Sequence, residues 1–179
     1  MDTYKLKWTP LDQEIFSLLC VKVQEKLSQR EIAKLLKVSP TAVASSVKRL
    51  KEKKLLIIEK TKTINFIYFN RKNQRAIELK RVENLKNIYI SSLSDYLLEE
   101  LPGSTIILFG SYSRGEDIST SDIDLAVIER KEKRLDLDRY EKDLNRKISV
   151  NFYLSWKDIH PHLKNNILNG ILLQGSIEL

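Results

Sequence analysis

The sequence predicts an α/β (α+β) chain of two small domains joined by a helix. Three patterns predict it. The first third places apolar residues at helical spacing three times over and then runs into two β-branched, aromatic stretches. Residues 71 to 101 contain neither glycine nor proline. From Thr105 onward, short apolar runs alternate with a helical pattern, as expected of a small mixed sheet. At 179 residues the chain is long enough for two cores.

Thr9 and Pro10 fit a helix start, and Ile15, Leu18, Leu19, Val23 and Leu27 then recur at helical spacing. Ser28 with Glu31 three residues later forms a capping box for a second helix carrying Ile32, Leu35 and Leu36. Ser39 and Pro40 open a third, whose Val43, Val47 and Leu50 face inward and leave Thr41, Ala42, Ser45, Ser46 and Arg49 outside. Leu55 to Glu59 and Ile64 to Phe69 read as a hairpin with the basic tip Lys60-Thr61-Lys62-Thr63. Ile77, Val82, Leu85, Tyr89, Leu93, Tyr96 and Leu97 then predict one long helix, or two broken near Ser91-Ser92, stopped by Pro102 and Gly103. Strands are expected at Thr105 to Phe109, Ile123 to Ile128 and Ile148 to Leu154, with a helix from Leu135 to Arg146. Beyond Trp156 a turn around Pro161 leads into an apolar helical segment. The expected domains are 1–70, a helical linker 71–101, and 102–179.

Charge separates these parts. The net charge is +7, yet residues 1 to 72 alone carry 16 Lys and Arg against 7 Asp and Glu, a net of +9. A basic module fused to a near-neutral remainder points to nucleic-acid binding in the first domain. Cys20 is the only cysteine, which excludes an intrachain disulfide and a cysteine-rich zinc site and favours a reducing compartment. No apolar run approaches the ~20 residues of a membrane span. Met1 to Lys5 lacks an apolar signal core, so a cytoplasmic location is expected.

Two constellations carry chemistry. Gly110 and Ser111 directly follow an apolar strand, where a glycine lets the backbone approach a ligand and a helix start aims N–H groups at phosphate. Asp122 and Asp124 alternate with Ile123, so both carboxylates share one side of the next strand and could hold Mg²⁺ or Mn²⁺ with substrate phosphates. Gly110-Ser111, ten residues, then Asp122-x-Asp124, with Arg114-Gly115-Glu116 and Ser121 between, resembles the minimal nucleotidyltransferases of the DNA polymerase beta superfamily over about residues 93 to 179. That resemblance implies transfer of a nucleoside monophosphate from NTP, ATP first, to an acceptor hydroxyl. It assigns Gly110 and Ser111 to the triphosphate, Arg114 to a phosphate, and Asp122 and Asp124 to the metal ions. The family has a third carboxylate on a later strand; Asn151 is read as standing at that position, and it cannot accept a proton. The rival reading is therefore a DNA-binding regulator whose nucleotidyltransferase domain only binds nucleotide or a partner. The resemblance also implies a HEPN-type toxin-like partner, and the linker helix suggests a homodimer.

Residues 8 to 70 resemble the winged helix-turn-helix family, which places the third helix in the major groove of duplex DNA. Ser45, Ser46 and Arg49 are the expected base readers, flanked by Thr41; Lys48, Lys60 and Lys62 are expected phosphate contacts. His160-Pro161-His162 reads as a surface pair, Cys20 and the two tryptophans as packing, and residues 129 to 134 as a solvated loop.

Overall fold

The computed structural model describes residues 8 to 178. The reading of Met1 to Lys5 lies outside them. The chain divides into two compact units, residues 1–80 and 81–179.

In the first unit, helix α1 (Pro10–Val21) is closed by a capping box in which the Thr9 hydroxyl accepts from the Asp12 amide and the Asp12 carboxylate accepts from the Thr9 amide. The sequence pattern carries the helix to Leu27, but it ends at Val21, and Leu27–Ser28 (β1) instead pairs with Ile67 and Phe66 of a later strand. Ser28 and Glu31 form the expected capping box of α2 (Gln29–Leu36). Lys37, in the left-handed conformation, ends α2, and Ser39 caps α3 (Pro40–Glu52). β2 (Leu56–Lys60) and β3 (Asn65–Phe69) pair antiparallel as the wing, giving a three-stranded sheet in the order β1-β3-β2. Ile15, Phe16, Leu19, Ile32, Val43, Val47, Leu50, Ile67 and Phe69 are buried as its core. Trp8 packs edge-on against Phe16, with Lys53 over its ring.

Helix α4 (Gln74–Ile90) contains the division between the units. Ser92, with φ of 60°, breaks the helical path at the expected place, and α5 (Leu93–Glu100) follows.

The second unit is built on a four-stranded sheet of order β6-β5-β4-β7, formed by β4 (Thr105–Phe109), β5 (Ile123–Ile128), β6 (Ile148–Tyr153) and β7 (Ile171–Gln174). β5 and β6 run parallel and the other pairs antiparallel, so the sheet is mixed. β7 replaces part of the expected helical segment: that helix, α8, spans only Pro161–Leu168 after a 3-10 turn at Trp156–Asp158. Period-two alternation sorts the core. Ile106, Leu108, Ile123, Leu125, Val127 and Ile148 pack with Ile88, Leu93, Leu97, Leu101 and Tyr140 on one face. Ile107, Phe109, Ala126 and Ile128 pack with Trp156, Ile159 and Ile167 on the other. Between β4 and β5 lies the single-turn helix α6 (Gly110–Arg114); α7 (Asp138–Leu144) precedes β6 and is shorter than the Leu135 to Arg146 pattern.

Candidate functional site

β4 ends at Phe109, directly opposite Asp124 of β5. The chain then turns at Gly110, whose φ is +75°, and a Cβ there would collide with the Asp124 carboxylate. Glycine is required on both counts, conformation and space. Ser111, half-buried, follows, and the buried Ser113 hydroxyl donates to the Gly110 carbonyl at 2.9 Å, tightening the turn. Gly115, also at positive φ, ends α6.

Alternation along β5 puts Asp122 and Asp124 on one side with Ile123 buried between them. Both carboxylates remain partly accessible. Burial, and next the charge of Asp122, push the Asp124 carboxyl above its ordinary range, while Arg114 opposes them. Two mutually repelling carboxylates at a partly exposed strand start are a fitting donor pair for a divalent cation that takes its other ligands from phosphate and water. Among the described residues, no group of three or more His, Cys, Asp or Glu side chains is placed to hold a metal.

Register identifies the neighbour on β6. Asp124 pairs with Ser149, and Ala126 pairs with Asn151. Asn151 thus shares the face of Asp122 and Asp124 but stands two residues, about 6.6 Å, farther along the strand. Ser149 is the residue opposite Asp124, so neither of the two β6 residues on this face carries a carboxylate. A hydroxyl stands there, and it is a far weaker base and ligand than a carboxylate. Glu141 fixes the start of β6 by accepting from the Ile148 amide and from Lys147, both at 2.9 Å. The Ile148 hydrogen bond, followed by Lys147, holds that carboxyl below its usual range.

Behind the site runs a buried polar strap. Asn84 donates to the Asp117 carboxylate at 2.7 Å and to the Tyr112 carbonyl at 2.8 Å, and Arg146 lies 3.7 Å from Asp117. Burial, then the charge of Asp117, raises the Tyr112 hydroxyl well above its ordinary pKa. These contacts fix the segment leading to Asp122, where the Ser121 hydroxyl accepts from the Ile118 amide. A cleft of about 490 Å³ opens beside Asp122, between Ser119–Ser121 and the Glu141, Lys142 and Lys147 side of α7.

Arg114 is exposed and held twice, by Glu116 through Nε at 2.8 Å and by Asn166 of α8 through Nη1 at 3.0 Å. Asn166 was missed in the sequence, where an asparagine 52 residues from Arg114 carries no signal. His160 and His162 stack on each other with both rings exposed.

In the first unit, the outward stripe of α3 is Thr41, Ala44, Ser45 and Lys48, all exposed at i, i+3, i+4 and i+7. Lys60 and Lys62 are exposed on the wing. Ser46 and Arg49 depart from expectation. Ser46 is fully buried, and the Arg49 guanidinium is engaged by Asp12 through Nη2 at 2.7 Å and Nε at 3.1 Å, and by the Ser46 hydroxyl at 2.8 Å. These residues pin α3 to α1 and are spent on the fold. Burial opposes ionisation of Asp12, but the hydrogen bonds from Arg49, the Thr9 amide and Ser46 outweigh it and bring the carboxyl down to about 2.

Comparison with known proteins agrees with this division. Residues 90–173 match the family described as nucleotidyltransferase domain, and residues 10–57 match winged helix-turn-helix DNA-binding. No curated protein matches the chain. Among solved structures, a ZitR mutant of Lactococcus lactis is 20% identical with a TM-score of 0.40, the match covering 56% of this chain and 66% of that one. The adhesin competence repressor (AdcR) of Streptococcus pyogenes is 20% identical with a TM-score of 0.41, covering 53% of this chain and 69% of that one. The chain spans about two thirds of the length of these structures.

Proposed function

The chain joins a winged helix-turn-helix domain to a nucleotidyltransferase domain, and from that premise we propose that it is a DNA-binding regulator whose second domain binds a metal–nucleoside triphosphate with little or no turnover. The observation that carries this reading is that β6 presents Ser149 and Asn151, and no carboxylate, on the face of Asp122 and Asp124. Gly110 and Ser111 receive the triphosphate, Arg114 contacts a phosphate, and Asp122 and Asp124 hold Mg²⁺. Bound there, the ion would offset the repulsion between the two carboxylates and supply positive charge to the triphosphate. Without a positioned carboxylate base, the chain gives up a factor of roughly 10² to 10⁴ in rate.

Thr41, Ser45 and Lys48 face the major groove in this reading, with Lys60 and Lys62 on phosphates. The exposed side chains of Tyr89, Ile90 and Leu98 supply apolar surface for a partner, which by resemblance is a helical toxin-like protein.

Nucleotidyl transfer is the second reading, favoured by the intact Gly110–Asp124 contact and the paired aspartates. Labelled ATP with Mg²⁺ or Mn²⁺ and protein acceptors separates the two. Binding without label transfer is expected. Rapid transfer by the wild type, lost in Asp122→Ala, would establish the enzyme instead.

A further inference from the structure

Arg114 is exposed, and a long side chain on a single-turn helix has little of its own element to hold it in one direction. Two groups hold it here. Glu116, two residues on, takes Nε, and both members of this pair are open to solvent. Asn166 takes Nη1 from a separate element, and that element is firmly seated. Its neighbour Ile167 is fully buried among Ile107, Phe109 and Ala126. Just beyond α8, Gly170 lies so close to β4 that a Cβ would stand 2.5 Å from the Leu108 carbonyl and 2.8 Å from the Ile107 side chain. Asn166 is therefore a fixed acceptor, whereas Glu116 sits two residues from the arginine on the same exposed stretch of chain. Ile167 packs on the face of the sheet that carries Phe109, Asp124 and Ala126, so Asn166 approaches Arg114 from the side of the paired aspartates.

The two contacts differ in kind. An amide oxygen orients the guanidinium without cancelling its charge, so the remaining N–H groups stay available for a phosphate. A carboxylate does the opposite, because it competes with phosphate for the same donors. We propose that Asn166 is a positioning residue that aims Arg114 at the triphosphate, and that Glu116 is an internal competitor which phosphate displaces from Arg114. This inference rests on the assignment of Gly110, Ser111 and Arg114 to the triphosphate.

The two substitutions therefore have opposite signs on one ligand. Calorimetric titration of the full chain with ATP in excess Mg²⁺ is expected to weaken about five- to tenfold in Asn166→Ala, the scale of losing the orientation of one charge-assisted hydrogen bond. Glu116→Gln is expected to tighten binding about two- to threefold, as an exposed ion pair is a weak competitor. Both effects should vanish in an Arg114→Ala background, since each acts through that guanidinium. A structural role for Asn166 in seating α8 would instead add to the loss in Arg114→Ala and lower the melting temperature. Wild-type affinity in a folded Asn166→Ala variant, an Asn166→Ala effect that persists without Arg114, or a weakening in Glu116→Gln overturns the inference while leaving the triphosphate site standing. A wild type with no affinity for ATP overturns the site itself and this inference with it.

Discussion

Ser149 stands directly opposite Asp124 across the parallel β5–β6 pair, on the same face of the sheet, and Asn151 stands opposite Ala126. The two β6 positions differ by one alternation step, so they should respond differently to the same change. Ser149→Asp places a third carboxylate beside Asp122 and Asp124 and should raise Mn²⁺ affinity about tenfold or more, seen as a larger metal-dependent rise in melting temperature. Without metal the same variant should melt lower than wild type, because three like charges then share the strand start. Asn151→Asp should do neither. Equal responses from the two variants would show that the strand register does not govern the metal site.

Gly110 meets Asp124 from the other side. A methyl group at Gly110 is opposed both by its left-handed backbone and by the aspartate carboxylate. Gly110→Ala should therefore cost ~1 to 3 kcal/mol in stability and remove ATP binding. Asp124→Ala in the same chain should recover part of the stability, because it clears the space, but none of the binding. Chemical denaturation of the four variants of the cycle measures this directly.

Arg49 and Lys48 are neighbours in sequence with separate tasks. Lys48→Ala should leave stability unchanged and reduce the log-log salt slope of DNA binding by about 0.9, the loss of one neutralised phosphate. Arg49→Ala leaves the Asp12 carboxylate buried with fewer donors and should destabilise the first domain by ~2 kcal/mol. Melting curves and a salt titration on operator-free duplex DNA distinguish the two outcomes.

The Asp12 carboxyl also gives the first domain an acid limit. Its pKa falls from 3.8 to about 2 on folding, so the stabilisation is fully present above pH 4 and is lost as pH drops through 2. Asp12→Asn should flatten that part of the stability curve while lowering stability at neutral pH. A wild-type acid transition unchanged in Asp12→Asn would contradict the assignment.

Much of this was readable in the sequence because it is encoded locally. Ser28 with Glu31 and Ser39 with Pro40 each announce a helix start within four residues, the break at Ser91-Ser92 is one of two readings the pattern allows, and the Gly110-Ser111 to Asp122-x-Asp124 spacing marks the candidate site. What the sequence hid depends on partners far apart. Ser46 falls on the inward stripe of α3 with Val43, Val47 and Leu50, yet a polar residue there reads as outward until Asp12 and Arg49 are seen to satisfy it. The choice between Ser149 and Asn151 is a question of register, and alternation alone puts both on one face. The short strands β1 and β7 form only because another strand is already present to pair with them.

In the proposed reading Gly110, Asp122 and Asp124 build a metal-dependent triphosphate site, and titration calorimetry of ATP with and without Mg²⁺ tests it most directly. Wild type should bind ATP at least tenfold more tightly with Mg²⁺ than in chelator, and the Asp122→Ala, Asp124→Ala double variant should lose that difference while remaining folded. Equal affinity with and without metal in the wild type, or a metal effect that survives in the double variant, would contradict the site.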